Sequence, residues 1–248
     1  EAWIKARPYL AEPISIWNSS RLIKDTNLRL HIAHLSTSEG AKIVKERKNE
    51  GVKISCEVTP HHLLLTYDDL IKNPILVKTS PPVRCYENRE LLWKYLENGT
   101  IDSVASDHFS GEWSSEKNKE NIFDIASGIS GIDTIFPLIF SEGVMKKRIT
   151  IKRFVEIISE NPAKILKISK NKGAIETGKD ADLVFIDLKR KWKIRGEKFY
   201  SKGKYTPFEN YEISGKVVKV FLRGEIAFDE NKGFLVESGY GKWIKRDF

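Results

Sequence analysis

Ile101-Asp-Ser-Val-Ala-Ser-Asp-His108 decides the reading of this chain. A short apolar strand runs into an acid, Asp107, where a strand would open onto the C-terminal mouth of an α/β barrel, the face on which such folds place their chemistry. Asp107 reads as a catalytic carboxylate; capping of the following turn is the plain alternative. A second strand, Leu28-Arg-Leu-His-Ile-Ala-His34, ends the same way in an imidazole, followed by the small polar run Leu35-Ser-Thr-Ser-Glu39. An imidazole and a carboxylate at strand ends suggest a metal site, with His34 binding zinc through one ring nitrogen. A structural histidine is the competing reading. The run after His34 can cap the next helix where a substrate would approach. His31, three residues earlier, is expected on the opposite face and is assigned to packing. His108 is expected to face away from Asp107.

Working outward, the spacing predicts helical structure over 8–27, helices over 39–48, 67–72 and 89–97, and strands over 52–59 and 75–79. Asn88 is expected to cap the helix over 89–97, and Asn98-Gly99 to end it. Four strands alternating with helices over short connections make a parallel sheet. A closed (β/α)₈ barrel needs eight strands over about 250 residues, so the expectation is half a barrel. Residues 109–121 read as a surface loop, Ser127-Gly-Ile-Ser-Gly131 as a glycine-bracketed turn, 133–140 as an apolar helix, and 151–168 as a helical unit broken at Asn161-Pro162. Beyond Gly173 short strands are predicted over 182–186, 191–194 and 217–222, with a surface loop over 196–207. The fold class is therefore α/β: a partial barrel over 1–172 and a small β-rich appendage over 173–248.

The 248 residues carry 42 Lys plus Arg against 34 Asp plus Glu, a formal charge of +8. The basic residues are scattered rather than gathered into a stripe interleaved with aromatics, which argues against a nucleic-acid partner. Cys56 and Cys85 have no zinc-binding or disulfide-framework spacing, which points to a cytosolic protein. No stretch approaches the roughly 20 apolar residues of a membrane span. The opening Glu1-Ala-Trp-Ile-Lys5 has no secretory character and no Met, suggesting a chain that enters mid-domain. Of the adjacent His61 and His62, one is expected to line the mouth and one to pack. Ser80-Pro-Pro-Val-Arg84 would form a rigid mouth loop that holds a substrate. Arg84 is read as forming a local salt bridge or binding an anion. Gly128 and Gly131 either satisfy positive φ angles or bring backbone amides close to a planar polar ligand.

Several motifs together resemble the cyclic amidohydrolases of the dihydroorotase, allantoinase and hydantoinase group, over nearly the whole chain. They are His34-Leu-Ser-Thr-Ser-Glu-Gly40, Glu57-Val-Thr-Pro-His-His-Leu63, Pro81-Pro-Val-Arg84, Ala105-Ser-Asp-His108, Gly128-Ile-Ser-Gly-Ile132, the run 173–182 and Tyr205-Thr-Pro-Phe208. The resemblance implies a distorted barrel with two zinc ions at its mouth and a bridging hydroxide that attacks a cyclic amide. It places His34 as a metal ligand from the sixth strand and Asp107 as ligand and proton shuttle from the eighth. Ser80, Arg84, Gly128, Ser130 and Gly131 would form the substrate wall. The family's first-strand His-x-His pair, carboxylated lysine and fifth-strand histidine have no counterpart here. The chain is thus expected to lack a full binuclear site and to be inactive alone. Dihydroorotase of pyrimidine biosynthesis is the first choice, and an allantoinase or hydantoinase relative is the alternative. A non-catalytic, dihydroorotase-like structural partner of another pyrimidine-pathway enzyme stays open, and a homo-oligomer is expected. Two departures bear on this choice: Ser80 stands where dihydroorotases usually carry Asn, and Gly111 where they usually carry His.

Overall fold

A computed structural model describes residues 1–246 as two compact units, residues 1–136 with 194–211 and residues 137–193 with the segment from 212 onward. In the first unit, short helix α1 (Ala2–Lys5) and α2 (Ala11–Ile23) lead into β1 (Leu30–Ile32). Next come α3 (Ser38–Asn49), β2 (Ile54–Val58), α4 (Pro60–Leu64), α5 (Tyr67–Lys72), α6 (Pro74–Val77), α7 (Tyr86–Glu97) and β3 (Ser103–Val104). The strands make one parallel sheet in the order β1-β2-β3. Its register pairs His31 with Ser55 and Ile32 with Cys56 on one side of β2, and Val58 with Val104 on the other. Backbone bonds carry the ladder past the strand ends: Leu35 N–H donates to Glu57 O at 2.8 Å and Ala105 N–H to Val58 O at 3.0 Å.

Local chemistry sets these elements. Thr37 caps α3 by accepting from Gly40 N–H at 3.2 Å, Glu39 lies in its first turn, and Arg47 and Lys48 complement its C-terminal dipole. Gly99, at φ +88°, takes the left-handed turn after α7. The core between helices and sheet is Leu35, Val44, Cys56, Val58, Leu63, Leu92, Leu96 and Ile101, all fully buried. Burial pushes the Cys56 thiol up to about 12, so it behaves as a small apolar side chain.

Two expectations fail here. The run 75–79 is not a fourth strand: Asn73 caps Leu76 N–H at 3.3 Å and Pro74 opens a helical turn at α6. A run with only three apolar residues, 75–77, fits either period, and the cap with proline at N1 decides it. Asn88 does not cap α7, which starts at Tyr86 after Cys85. It is a buried residue inside that helix, with Nδ2 donating to Ser36 O at 2.9 Å and Oδ1 accepting from Ser38 N–H at 2.7 Å.

In the second unit the chain is helical through α8 (Ile135–Ile139), which begins just before the junction, and continues in π-type turns over Phe140–Met145. After α9 (Ile151–Val155), π-type turns over Glu156–Glu160 deliver the chain to α10 (Asn161–Ile165). Pro162 therefore sits at the start of a new helical turn, where its missing N–H costs little, so the helix restarts at Asn161-Pro162 as expected. The four-stranded antiparallel sheet follows: β4 (Leu183–Lys193), β5 (Glu212–Leu222), β6 (Glu225–Asp229) and β7 (Gly233–Phe234). The two strands expected over 182–194 are one, with its ladder interrupted between Asp187 and Lys191. Arg223 (φ +53°) and Gly224 (φ +86°) make the two-residue β5–β6 hairpin. Leu138, Ile157 and Ile213 are fully buried, and the Phe140 and Phe154 rings meet edge to face at 5.3 Å. Compactness thus groups the helical residues 137–172 with the antiparallel sheet, whereas the division at 172/173 follows element type.

At the end of the first sheet opposite His34 and Asp107, Asp102 accepts from Lys48 Nζ through both oxygens at 2.7 Å and from Cys56 N–H at 2.8 Å. Asp102→Ala leaves a buried amide and an ammonium without that acceptor. It is expected to lower the unfolding free energy by about 1–3 kcal/mol in urea denaturation; an unchanged midpoint would contradict this.

Candidate functional site

His34 and Asp107 share a backbone state that L-residues rarely adopt: φ is +38° at His34 and +45° at Asp107. Each follows the end of a parallel strand, β1 and β3, and each turns the chain out of the sheet. A non-glycine residue held left-handed costs on the order of 1–2 kcal/mol, and such positions cluster where geometry serves function. The parallel order β1-β2-β3 puts both residues at the same end of the sheet. Two strand spacings separate them laterally, about 10 Å.

A cleft of about 610 Å³ lies at the β1 side, walled by Arg7, Glu12, His31, His34, Ser80 and Arg84 among others. The structure thus brings together three expected residues, His34, Ser80 and Arg84. Asp107, Gly128, Ser130 and Gly131 are not on that wall and form a second group at the end of β3. His31 also corrects its assignment to packing. Both residues line the cleft, and the left-handed turn at His34 ends the strand alternation that would set them on opposite faces. His31 Nδ1 lies 2.8 Å from Ser55 Oγ and Nε2 lies 3.1 Å from Glu57 Oε2.

The segment after His34 is held from three directions. Glu12 accepts from Ser36 N–H, Ser36 Oγ–H, Thr37 N–H and Thr37 Oγ–H at 2.6 to 3.1 Å. Its carboxylate therefore occupies the N-terminus of α3, which sequence reasoning had offered to a substrate. Asn88 grips Ser36 and Ser38 as described, and Arg84 Nε donates to Ser36 Oγ at 3.3 Å. Arg84 forms no local salt bridge among the described residues. Buried at 4% exposure, it also donates to Arg7 O at 3.0 Å and Tyr67 Oη at 3.4 Å. Sequence reading missed Glu12 because its partners lie 24 and 25 residues away, with no local signal.

Both His61 and His62 are buried, so neither lines the mouth. Thr59 Oγ1 lies 2.8 Å from His62 Nδ1, and Nε2–H donates to Pro81 O at 3.1 Å. Burial pulls His62 down to about 3 and His61 well below its ordinary value, with added repulsion from neighbouring imidazoles, His34 included. His61 Nε2 has no hydrogen-bond partner among the described residues.

At the end of β3, His108 bridges to Ile129 in parallel fashion, and Phe109 N–H donates to Ile129 O at 3.0 Å. Gly128, at φ +130°, packs so closely on Phe109 that an added Cβ would lie 2.5 Å from its side chain. A Cβ on Gly131 would lie 2.5 Å from Ser106 O. Ser130 is buried, and its Oγ donates to Phe109 O at 3.1 Å. Close packing at both glycines, together with the positive φ of Gly128, leaves no room for a side chain at either position. The Phe109 ring lies where a side chain on Gly111 would begin.

A tetrahedral zinc ion takes three or four protein ligands. The described residues contain no group of three His, Cys, Asp or Glu side chains placed to hold a metal. His34 and Asp107 supply two at most, and the orphaned Nε2 of buried His61 is not gathered with them into a three-ligand group. The residues of this chain do not by themselves fit a zinc site.

Two predictions arise from this geometry. Gly at position 34 or 107 removes a left-handed strain, so His34→Gly and Asp107→Gly are expected to raise stability by up to about 1 kcal/mol; a clear loss in chemical denaturation would contradict it. His61 and His62 are held neutral in the folded chain, while the unfolded chain takes up their protons below the ordinary histidine value of 6.5. Stability is therefore expected to fall progressively from pH 6.5 toward 3, and His62→Gln should flatten part of that slope.

Residues 12–227 match the Amidohydrolase family. The chain is 39% identical over 230 residues to a dihydroorotase of Thermoanaerobacter sp. (strain X514), covering 92% of this chain and 52% of that one. It is 33% identical over 247 residues to an L-hydantoinase of Paenarthrobacter aurescens, covering 99% and 54%. An allantoinase of Enterococcus faecalis is 33% identical over 244 residues, covering 98% and 53%. Among solved structures, the dihydropyrimidinase from Brevibacillus agri NCHU1002 superposes with a TM-score of 0.94 at 30% identity, over 99% of this chain and 54% of that one. The L-hydantoinase from Arthrobacter aurescens gives 0.92 at 34% identity, over 96% and 53%. The chain spans about half the length of the relatives it matches. The family match over residues 12–227, which spans both units, shows that this chain belongs to the amidohydrolase family.

Proposed function

We propose that this chain is the C-terminal half of a cyclic amidohydrolase, its first unit containing the last strands of a (β/α)₈ barrel and its residues from 173 onward a β-rich appendage. The observation that carries this reading is the pair His34 and Asp107, both left-handed and both at the mouth end of one parallel sheet. The substrate is a small cyclic amide. Dihydroorotate is the first choice, supported by the dihydroorotase at 39% identity. Hydantoins and allantoin are the alternatives, supported by relatives that cover nearly the whole chain at 33%. Ser80 and Arg84 at the cleft and Gly128, Ser130 and Gly131 beyond β3 form the substrate wall. Two free cysteines, one exposed, suit a reducing cytosolic compartment.

Asp107 is exposed at its strand end and, as a carboxylate, can accept a proton from an attacking water and return it to the leaving amide nitrogen. Zinc belongs to this proposal as an expectation for the full protein, with His34 and Asp107 as two of its ligands. The reading in which the protein is a non-catalytic partner draws on Phe109, whose ring occupies the space at Gly111.

In the full protein Asp107→Ala is expected to reduce turnover of its cyclic amide at least about 10³-fold with the fold retained, as loss of a proton-transfer group does. Near-normal hydrolysis by that variant would overturn the assignment. Parallel assays with dihydroorotate, allantoin and hydantoin choose the substrate, and two zinc ions per chain by metal analysis, against none, separate enzyme from scaffold.

A further inference from the structure

Two lysines of the first unit are buried without any carboxylate partner among the described residues. Lys117 is 0% exposed and Lys78 is 2% exposed. Lys117 Nζ donates to Ala126 O at 2.8 Å and Gly128 O at 2.7 Å, with the Phe109 ring 5.4 Å away. Lys78 Nζ donates to Ile125 O and sits 4.0 Å over the Trp3 ring, while its backbone oxygen accepts from Gly128 N–H at 2.9 Å. Ala126 N–H is taken by Glu116 O at 2.9 Å. Residues 125–128 are therefore gripped along their length, and three of their carbonyls point at ammonium groups.

The next residue, Ile129, is bridged to His108 and accepts from Phe109 N–H, immediately beyond Asp107. Because the peptide unit is planar, fixing Gly128 C=O also fixes the direction of the Ile129 N–H, while the His108 bridge and the Phe109 bond hold the Ile129 C=O that follows. Burying two like charges side by side is unfavourable, and an apolar side chain of similar length would fill the same volume without that cost. What an apolar side chain lacks is the set of donors.

We propose that Lys117, with Lys78, is a positioning residue for Asp107: the ammonium groups hold the 125–128 backbone, which through Ile129 sets the left-handed strand end that presents the Asp107 carboxylate. This rests on the reading of Asp107 as the proton-handling group, yet its test uses no turnover, so the two can fail separately. Burial and the Lys78 charge bring Lys117 down to about 8. Lys78 is also lowered by burial, with Arg7 repelling and Asp124 attracting its charge. Of the groups nearby, burial and Glu116 push the Tyr205 hydroxyl up to about 12, outside the relevant range.

The experiment is an NMR titration of this chain from neutral to alkaline pH. It reads Lys117 Nζ, the Phe109 and Ile129 amides and the Asp107 carboxyl carbon. A shared inflection near Lys117's own is expected at all four, persisting in Lys78→Met. In Lys117→Met the inflection should vanish, and exchange of the Phe109 amide should accelerate about tenfold or more, as loss of a charge-assisted bond implies. If Lys117 titrates while the Phe109 amide and Asp107 stay still, or if Lys117→Met matches the parent chain, the proposal is overturned. Should Lys117→Met not fold, the titration of the unaltered chain decides alone.

Discussion

Parallel pairing of β1 and β3 onto the two edges of β2 is the constraint from which the rest of the first unit follows. Five residues of β2 carry it, alternating between fully buried Cys56 and Val58 on the core side and half-exposed Ser55 and Glu57 on the other. That alternation places the core beneath the helices. It also leaves Glu57 to meet His31 across the register, and it brings the ends of both neighbouring strands to one side. A slip of one residue would exchange the two faces of β2 and bury the wrong set.

Beyond each strand end the chain makes the same local move and is then held by unrelated means. After His34 the holding groups are anionic and amide: Glu12 from α2 and Asn88 from α7 satisfy the Ser36–Ser38 backbone. After Asp107 they are cationic: Lys117 and Lys78 satisfy the carbonyls of the facing segment. Exposed backbone amides at a helix start attract a carboxylate, and a row of carbonyls attracts ammonium groups, so each strained turn is stabilised by charge of the appropriate sign. The same logic explains why the α3 N-terminus is closed to a ligand and why Arg84, bound to neutral oxygens, is a scaffold for the cleft wall.

Much of this was legible in the sequence because it is local. The strand ends at His34 and Asp107, the helix after His34 and the glycine pair at 128 and 131 follow from short-range pattern, and the 109–121 segment is largely exposed as expected, although it contains a helical turn over Trp113–Lys117. The family resemblance drawn from the same motifs is matched across residues 12–227. What escaped depends on partners far away in the chain. His31 lines the cleft while bonded to Ser55 and Glu57 of the neighbouring strand, 24 and 26 residues away. Asn88 lies inside α7 because its partners are at 36 and 38 rather than in its own first turn. The apolar run at 75–77 became helical through Asn73 and Pro74, and Lys117 is buried though it lies in the most polar stretch of the chain.

The central point is the placement of positions 34 and 107 at the same end of one parallel sheet, two strands apart. It is tested by spin labels at His34→Cys and Asp107→Cys in a chain with exposed Cys85 replaced by Ser. Backbones about 10 Å apart predict strong dipolar broadening of the doubly labelled spectrum relative to the sum of the two single-label spectra. A doubly labelled spectrum that equals that sum would contradict the account.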